Sequence, residues 1–147
     1  MSLIFPEVTN KIIGCAFKVH RKLGPGFLEK IYEQALCIEL RKASMRVEEQ
    51  KTIRVFYDNT IIGVHRLDLV VEGKILLELK ACKKIEDVHL AFAMSYLKAS
   101  NLPVALLFNF SESSLRIKRF AQGRIFNADL TDLSDCAEGN FVGQEIH

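Results

Sequence analysis

The sequence predicts an α/β fold in which a mixed sheet is flanked by helices, in the order α-α-β-β-β-α-β-β. Apolar residues recur at helical spacing in two segments before residue 43, and three β-rich runs separated by turn residues follow between 47 and 81. A further helical segment then precedes a continuous apolar run, typical of a central strand. A chain of 147 residues suits one domain with a sizeable core.

Two helices are predicted at the start of the chain. The first runs from Glu7 to Lys22 and places apolar residues on one face at Val8, Ile12, Cys15, Ala16 and Val19. The run Leu23-Gly24-Pro25-Gly26 breaks this pattern. The second helix, from Leu28 to about Lys42, is expected to bury Leu28, Ile31, Ala35, Leu36 and Ile38.

Strands are predicted at 47–57, 60–71 and 75–81, with turns at 58–59 and 72–74. A helix from Glu86 to Ala99 follows, and its candidate core contacts are Val88, Phe92, Tyr96 and Leu97. Strands at 103–110 and 114–120 complete a domain that we place at residues 1–120. Residues 121–147 form an acidic C-terminal extension, which we expect to be partly disordered or to pack as an addition to the domain.

The most informative segment is the hairpin around Gly73. A three-residue loop at 72–74 makes residues whose numbers sum to 146 face each other. The predicted apolar pairs are Val71 with Ile75, Leu69 with Leu77, and Leu67 with Leu79. The same register sets Asp68 opposite Glu78 on the other face, and Arg66 opposite Lys80.

Facing carboxylates about 4.5–5.5 Å apart between Cβ atoms could hold one divalent cation. Hard oxygen ligands favour Mg²⁺ or Mn²⁺ over Zn²⁺. Lys80 beside such an ion could orient or help deprotonate a water and stabilise charge on a phosphoryl oxygen. The alternative is an ordinary hairpin in which Arg66 and Lys80 neutralise the two acids as surface salt bridges.

The residues Asp68 and Glu78-Leu79-Lys80 resemble the motif of the PD-(D/E)XK nuclease superfamily. The upstream run 23–32 is similar to the signature of the GxxExxY family within it, with Gly26, Glu29 and Tyr32 at the three fixed positions. The resemblance covers about residues 5–120. Many members carry a glutamine one helical turn before the tyrosine that corresponds to Tyr96, whereas this chain has Phe92.

The resemblance implies a three-layer, restriction-endonuclease-like core and a metal-dependent nuclease, with DNA as the expected substrate. Asp68 and Glu78 would be the principal metal ligands, the Leu79 carbonyl a third, and Glu29 an additional or water-mediated one. Glu29, Asp68, Glu78 and Lys80 would form the catalytic set. The candidates for substrate contact are Tyr32, Arg66, Lys83, Lys84 and Tyr96.

The distribution of charges and cysteines limits the kinds of partner and site that we expect of this protein. Residues 1–120 carry 19 basic and 13 acidic side chains, compatible with a phosphate backbone as partner, whereas residues 121–147 have a net charge of −4. The four cysteines lie far apart, which argues against a disulfide framework or a zinc site. With no apolar run long enough for a membrane helix and no secretory signal, we expect a cytoplasmic location and no membrane partner.

Two alternatives to a nuclease stay open. One is a module that keeps the fold without catalysis and binds nucleic acid or a protein, with Phe92 in place of the amide. The other is a small-molecule phosphohydrolase, but a Gly-rich phosphate-binding loop is missing from the sequence.

Small nucleases of this architecture often need a homodimer to cut two strands.

Overall fold

The computed structural model describes residues 5–122, 124–128 and 143–146. Three helices and seven strands form in it, and their bounds in chain order are α1 Pro6–Leu23, α2 Glu29–Lys42, β1 Val47–Tyr57, β2 Thr60–Val71, β3 Ile75–Lys80, α3 Asp87–Ser100, β4 Val104–Asn109, β5 Arg116–Ala121, β6 Arg124–Ala128 and β7 Gly143–Ile146.

The strands form one mixed sheet in which spatial order equals chain order from β1 to β7. β3 and β4 are parallel, and every other neighbouring pair is antiparallel. The parallel pair needs a crossover, which α3 supplies. The predicted fold class is therefore confirmed: a mixed sheet with helices, in the predicted element order.

The sheet has a separate hydrophobic core on each face. One core lies under α1 and α2 and includes Leu69, Leu77, Leu79, Leu106 and Phe108 of the sheet. The other lies under α3 and includes Leu67, Val70, Leu76, Leu107 and Phe120. Because both faces are covered, β3 and β4 are apolar along nearly their whole length, as strands buried on two sides are.

The predicted elements agree with the observed ones to within about two residues. The C-terminal extension contributes β6 and β7, which extend the sheet beyond β5 and were not predicted. Most of the acidic residues of this extension lie outside the described residues, as does Cys136. Cys15, Cys37 and Cys82 are free. Among the described residues, no helix is long and apolar enough to cross a membrane.

Some residues predicted to be buried are exposed. These are Leu28 just before α2, Ile31 and Ile38 on α2, and Val88 and Phe92 on α3. Leu36 is buried as predicted, and Ala35 packs against the same core. Tyr32, Cys37 and Leu40 complete the buried side of α2. Helical periodicity shows apolar residues on more than one side of α2 but does not say which side meets the sheet.

Tyr32 joins the turn before α2 to the core. Its ring stacks on Phe110 with centroids 4.7 Å apart. Its hydroxyl donates to the Gly24 carbonyl at 2.5 Å and accepts from the Phe27 N–H at 3.1 Å. Gly24 and Gly26 have φ of 67° and 113°, where a side chain would be strained, so this turn depends on glycine. The turn sets where α2 begins and therefore where Glu29 lies.

We predict that Tyr32→Phe lowers the free energy of unfolding by about 1–3 kcal/mol, because the Phe27 N–H and the Gly24 carbonyl each lose a partner while the ring stack remains. The measurement is chemical denaturation monitored by circular dichroism. Tyr57→Phe is the matched control, because Tyr57 is exposed. Equal stability of the two variants would show that the Tyr32 hydroxyl does not hold the turn.

Candidate active site

Near its turn the β2–β3 hairpin has the predicted register, but the two strands are no longer paired at Asp68 and Glu78. Val71, Val70 and Leu69 pair with Ile75, Leu76 and Leu77, and the ladder ends there. The predicted opposition of Leu67 to Leu79, Asp68 to Glu78 and Arg66 to Lys80 is therefore absent from the described pairing. The two strands separate just where the acidic residues begin.

The side of the sheet that β2 residues face also changes at this point. Leu69 packs under α1 and α2, whereas Leu67 packs under α3. The prediction that Leu67 and Leu69 share one face is therefore wrong. Side chains two apart in a regular strand share a face, so β2 is irregular at Asp68.

β1 has a matching irregularity at Gln50. The register of β1 with β2 places Gln50 level with Asp68, between the pairs Glu49–Leu69 and Lys51–Leu67. Gln50 has a φ of 50°, in the left-handed region that non-glycine residues rarely adopt. Glu49 and Gln50 both bond to α2 side chains, Glu49 to Gln34 at 2.9 Å and Gln50 to Glu33 at 2.6 Å. Both strands thus change face at the same level.

The gap between β2 and β3 exposes main-chain groups of Leu79. The Leu79 N–H donates to Asp68 Oδ2 at 2.9 Å. The carbonyl of the next residue, Lys80, accepts from the Phe110 N–H at 3.0 Å, on the β4 side. Because the N–H and C=O of one residue in a strand point to the same edge, the Leu79 carbonyl faces the gap beside Asp68.

Glu78 is the most perturbed acid of the site. It is only 7% exposed, and no group of the described chain donates a hydrogen bond to its Oε1, although that atom is buried. Burial, followed by the neighbouring Asp68 charge, raises the pKa of Glu78 to about 9. The pKa of Asp68 is also raised, first by burial. At neutral pH the two carboxyls therefore share one proton when no cation is present.

α2 brings two more carboxylates to the gap. Glu29 is exposed, and its pKa is raised by partial loss of hydration, with Lys80 acting in the lowering direction and Asp68 in the raising one. Glu33 lies one turn later on the same face. It is only 4% exposed and accepts from Lys30 at 2.7 Å and from Gln50 at 2.6 Å. The Glu33 charge contributes to the raised pKa of Asp68.

The structure brings Lys80 together with the acids. Its charge acts on Glu29, Asp68 and Glu78. Within residues 5–122, neither Lys80 nor Arg66 forms an ion pair with Asp68 or Glu78. The alternative of an ordinary salt-bridge cluster on this hairpin is therefore not what the structure contains.

The predicted substrate contacts have different surroundings. Tyr32 is fully buried, so a direct contact with substrate is excluded and its role is to hold the turn before α2. Lys83 and Lys84 are exposed in the segment after β3. Tyr96 packs on His65, with ring centroids 4.3 Å apart, under the hairpin. Arg66 is exposed two residues before Asp68.

Asn109 fixes the segment that carries the two lysines. It lies level with Lys80 in the parallel β3–β4 pair and is fully buried. Its side chain accepts from the Cys82 N–H at 3.1 Å and donates to the Cys82 carbonyl at 2.9 Å. The chain leaving β3 is therefore held to β4, and Lys83 and Lys84 lie beyond a fixed point.

The carboxylate and carbonyl oxygens at the gap are the ligand types that Mg²⁺ and Mn²⁺ prefer. Within the described part of the chain, no three His, Cys, Asp or Glu residues are placed to hold a metal ion together. The oxygens that do face one another are the Asp68 and Glu78 carboxylates and the Leu79 carbonyl. One buried carboxylate oxygen of Glu78 accepts no hydrogen bond from the described residues, and the Asp68 and Glu78 carboxyls share a proton. Both features are expected of oxygen ligands from which a cation would displace the proton.

A family model described as the PD-(D/E)XK nuclease superfamily matches residues 6–120. The chain belongs to the PD-(D/E)XK nuclease superfamily. No curated protein and no solved structure matches it. Membership in the PD-(D/E)XK superfamily suggests nuclease activity, and nucleases of this superfamily generally use divalent metals. Asp68 and Glu78 to Lys80, the predicted aspartate and Glu-X-Lys of the PD-(D/E)XK motif, lie on the two strands that separate at the gap.

Glu33 and Gln50 were not predicted as site residues. Glu33 had a signal, since it lies four residues after Glu29 and shares its helix face. No feature of the sequence marks Gln50 as a site residue. Counting back from the two-residue turn at Asp58-Asn59 pairs Gln50 with Leu67, and a bulge between Val55 and Phe56 shifts the register by one residue to Asp68.

We predict that the metal-free protein loses thermal stability as pH rises between about 4.5 and about 9. In this range Glu78 is protonated in the folded state and ionised in the unfolded state, so the folded state binds the extra proton. Glu78→Gln keeps the shape without the titration and should flatten the profile. The measurement is Tm against pH in chelator, and an unchanged slope in Glu78→Gln would contradict the assignment.

Proposed function

We propose that the protein is a Mg²⁺-dependent nuclease that hydrolyses phosphodiester bonds in DNA. The observation that carries this proposal is the gap between β2 and β3, where the Asp68 and Glu78 carboxylates and the Leu79 carbonyl meet beside Lys80. Mn²⁺ is expected to substitute, because the ligands are hard oxygens.

Each residue of the site has a role that follows from its position. Asp68, Glu78 and the Leu79 carbonyl would hold the cation, which supplies Lewis-acid chemistry when bound. Lys80 would orient the attacking water and stabilise the negative charge that grows on the phosphoryl oxygens. Glu29, exposed at the start of α2, would act through a water. Glu33 and Gln50 would keep Asp68 in place from α2 and β1.

The reaction is a hydrolysis, so no co-reactant besides water is needed. The water oxygen bonds to phosphorus while the bond from phosphorus to the leaving sugar oxygen breaks. The proton released by the water reaches solvent or the leaving oxygen. Partial loss of hydration raises the pKa of Glu29, the direction that makes its carboxylate a better proton acceptor.

The substrate class is supported by charge and by the family. Residues 1–120 are basic, and Arg66, Lys83 and Lys84 are exposed on segments that leave the site. Gly26, Glu29 and Tyr32 support a place in the GxxExxY family within the superfamily. Cutting both strands of a duplex would need two sites, which a homodimer would supply.

The first test is cleavage of labelled single-stranded, duplex and branched DNA and RNA, with Mg²⁺, Mn²⁺ or chelator. We predict metal-dependent cleavage that falls at least about a hundredfold in Lys80→Ala, because one electrostatic contact to the reacting group is commonly worth that much. Lys11→Ala, an exposed lysine of α1, is the matched control and should cleave normally.

The outcome that would contradict the proposal is a folded wild-type protein that cuts none of these substrates with either metal. Equal cleavage by wild type and Lys80→Ala would instead point to a contaminating nuclease.

A second candidate function is a binding module with weakened catalysis. The observation that favours it is Phe92, which is 51% exposed on α3, one turn after His89. His89 lies close enough for its charge to act on Glu29, so the surface of α3 around Phe92 is near the site. An exposed phenyl ring offers no hydrogen bond at a position where many members carry an amide.

We predict that Phe92→Gln raises the cleavage rate severalfold if the missing amide limits catalysis, since a neutral hydrogen bond contributes about 0.5–1.5 kcal/mol. Single-turnover cleavage with enzyme in excess measures it. Phe92→Leu, which removes the ring without adding an amide, is the control. A rate that does not rise in Phe92→Gln would show that Phe92 is no cause of weak activity.

A further inference from the structure

The β1–β2 hairpin extends well beyond the rest of the sheet. β3 pairs with β2 over residues 69–71 alone, so no strand in the described part of the chain lies beside residues 60–66 of β2 on the β3 side. At about 3.3 Å per residue, the seven steps from Asp68 back to Ile61 span roughly 23 Å. The hairpin is therefore an arm that starts at the candidate active site.

Within residues 5–122, only one face of this arm is covered. Ile53 and Leu67 pack in the core under α3, and His65 stacks on Tyr96 of that helix. Alternate residues along both strands point the other way and are exposed. We call these six residues the open face: Thr52, Arg54, Phe56, Ile61, Val64 and Arg66.

The open face is continuous with the active site. Asp68 and Gln50 lie level with each other and interact with Glu33 of α2, on the side of the sheet opposite α3. Arg66 and Thr52 are two residues further along each strand, on the same side. A chain that lies along the open face therefore runs directly into the gap between β2 and β3.

The chemistry of the open face changes with distance from the gap. Arg66 lies about 7 Å from Asp68 along the strand, and Arg54, opposite Val64, about 13 Å. Beyond them Phe56 faces Ile61, and both are at least half exposed. None of the six residues is acidic. Two cations followed by an exposed aromatic ring are what a strand of nucleic acid with unpaired bases needs.

We propose that the open face binds the nucleic-acid strand that leads to the scissile phosphate, with Arg54 and Arg66 on its phosphates and Phe56 stacked on an unpaired base. This inference rests on the proposed nucleic-acid substrate and names its form: single-stranded, or opened beside the cut. Paired bases in a duplex offer no free face to Phe56, so duplex gains the arginine contacts alone.

A second copy of this chain fits the arm less well. Pairing through the outer edge of β1 would need a regular strand, but β1 has a left-handed residue at Gln50 and its partner strand has a bulge at Ile62. Glu48 and Lys51 place charges on the same strand. Such irregularities and charges are devices that prevent edge-to-edge association.

The experiment measures binding of labelled single-stranded and duplex DNA of one sequence by fluorescence anisotropy, in chelator so that nothing is cut. We expect Phe56→Ala to weaken single-strand binding roughly five- to a hundredfold, the loss that one base–aromatic stack produces, with little change for duplex. Arg54→Ala should weaken both and lower the salt slope by about 1.

The matched controls lie on the same arm. Tyr57 is exposed and Lys51 is exposed, but both alternate to the other face. Tyr57→Ala and Lys51→Ala should therefore bind like wild type. Circular dichroism checks that every variant is folded. The substituted side chains are exposed, so the fold should tolerate their removal.

Two results would overturn the proposal. One is equal single-strand binding by Phe56→Ala and Tyr57→Ala. The other is a dimer in analytical ultracentrifugation that Phe56→Ala turns into a monomer without changing DNA binding, which would assign the face to a second copy. If wild type binds single strands through Phe56 but cleaves nothing, the open-face inference stands and the proposed hydrolysis fails.

Discussion

The structure depends on an interruption that β1 and β2 share at one level. β2 pairs with β3 over Leu69 to Val71 and not before, and β1 has left-handed backbone at Gln50, whereas β3 stays paired with β4 through Lys80. Without this interruption the Leu79 main chain would bond to β2, and Asp68 would be one more side chain on a covered face. Separated strands leave main-chain groups and carboxylates turned toward one gap, where their unmet hydrogen bonds need a cation, a proton or water.

The gap is costly to the protein in the absence of a cation. Asp68 and Glu78 are buried together, Glu33 adds a third negative charge nearby, and Lys80 offsets only part of it. A proton on Glu78 is the solution when no metal is bound. In the proposed function a divalent cation would relieve the same repulsion and leave both carboxylates ionised, so cation binding would be linked to proton release.

The long β1–β2 hairpin depends on a small irregularity as well. The extra residue Ile62 shifts the pairing by one position, and that shift brings Gln50 rather than a neighbour level with Asp68. Because alternate side chains face opposite ways, a one-residue change of register moves every residue to the other face. The bulge therefore sets both the contact of Gln50 with Glu33 and the residues of the open face.

Periodicity and turn residues are local properties of the chain, and they were enough to predict the order and approximate length of the elements up to β5, the hairpin turns and the nearness of Asp68 to Glu78 and Lys80. Tertiary packing determined that the extension adds β6 and β7, which side of α2 is buried, that Leu67 and Leu69 face opposite sides, and that Glu33 and Gln50 join the site. Those outcomes depend on which faces of the sheet are covered and on a bulge and a left-handed residue, neither of which has a signature in the alternation of apolar and polar residues.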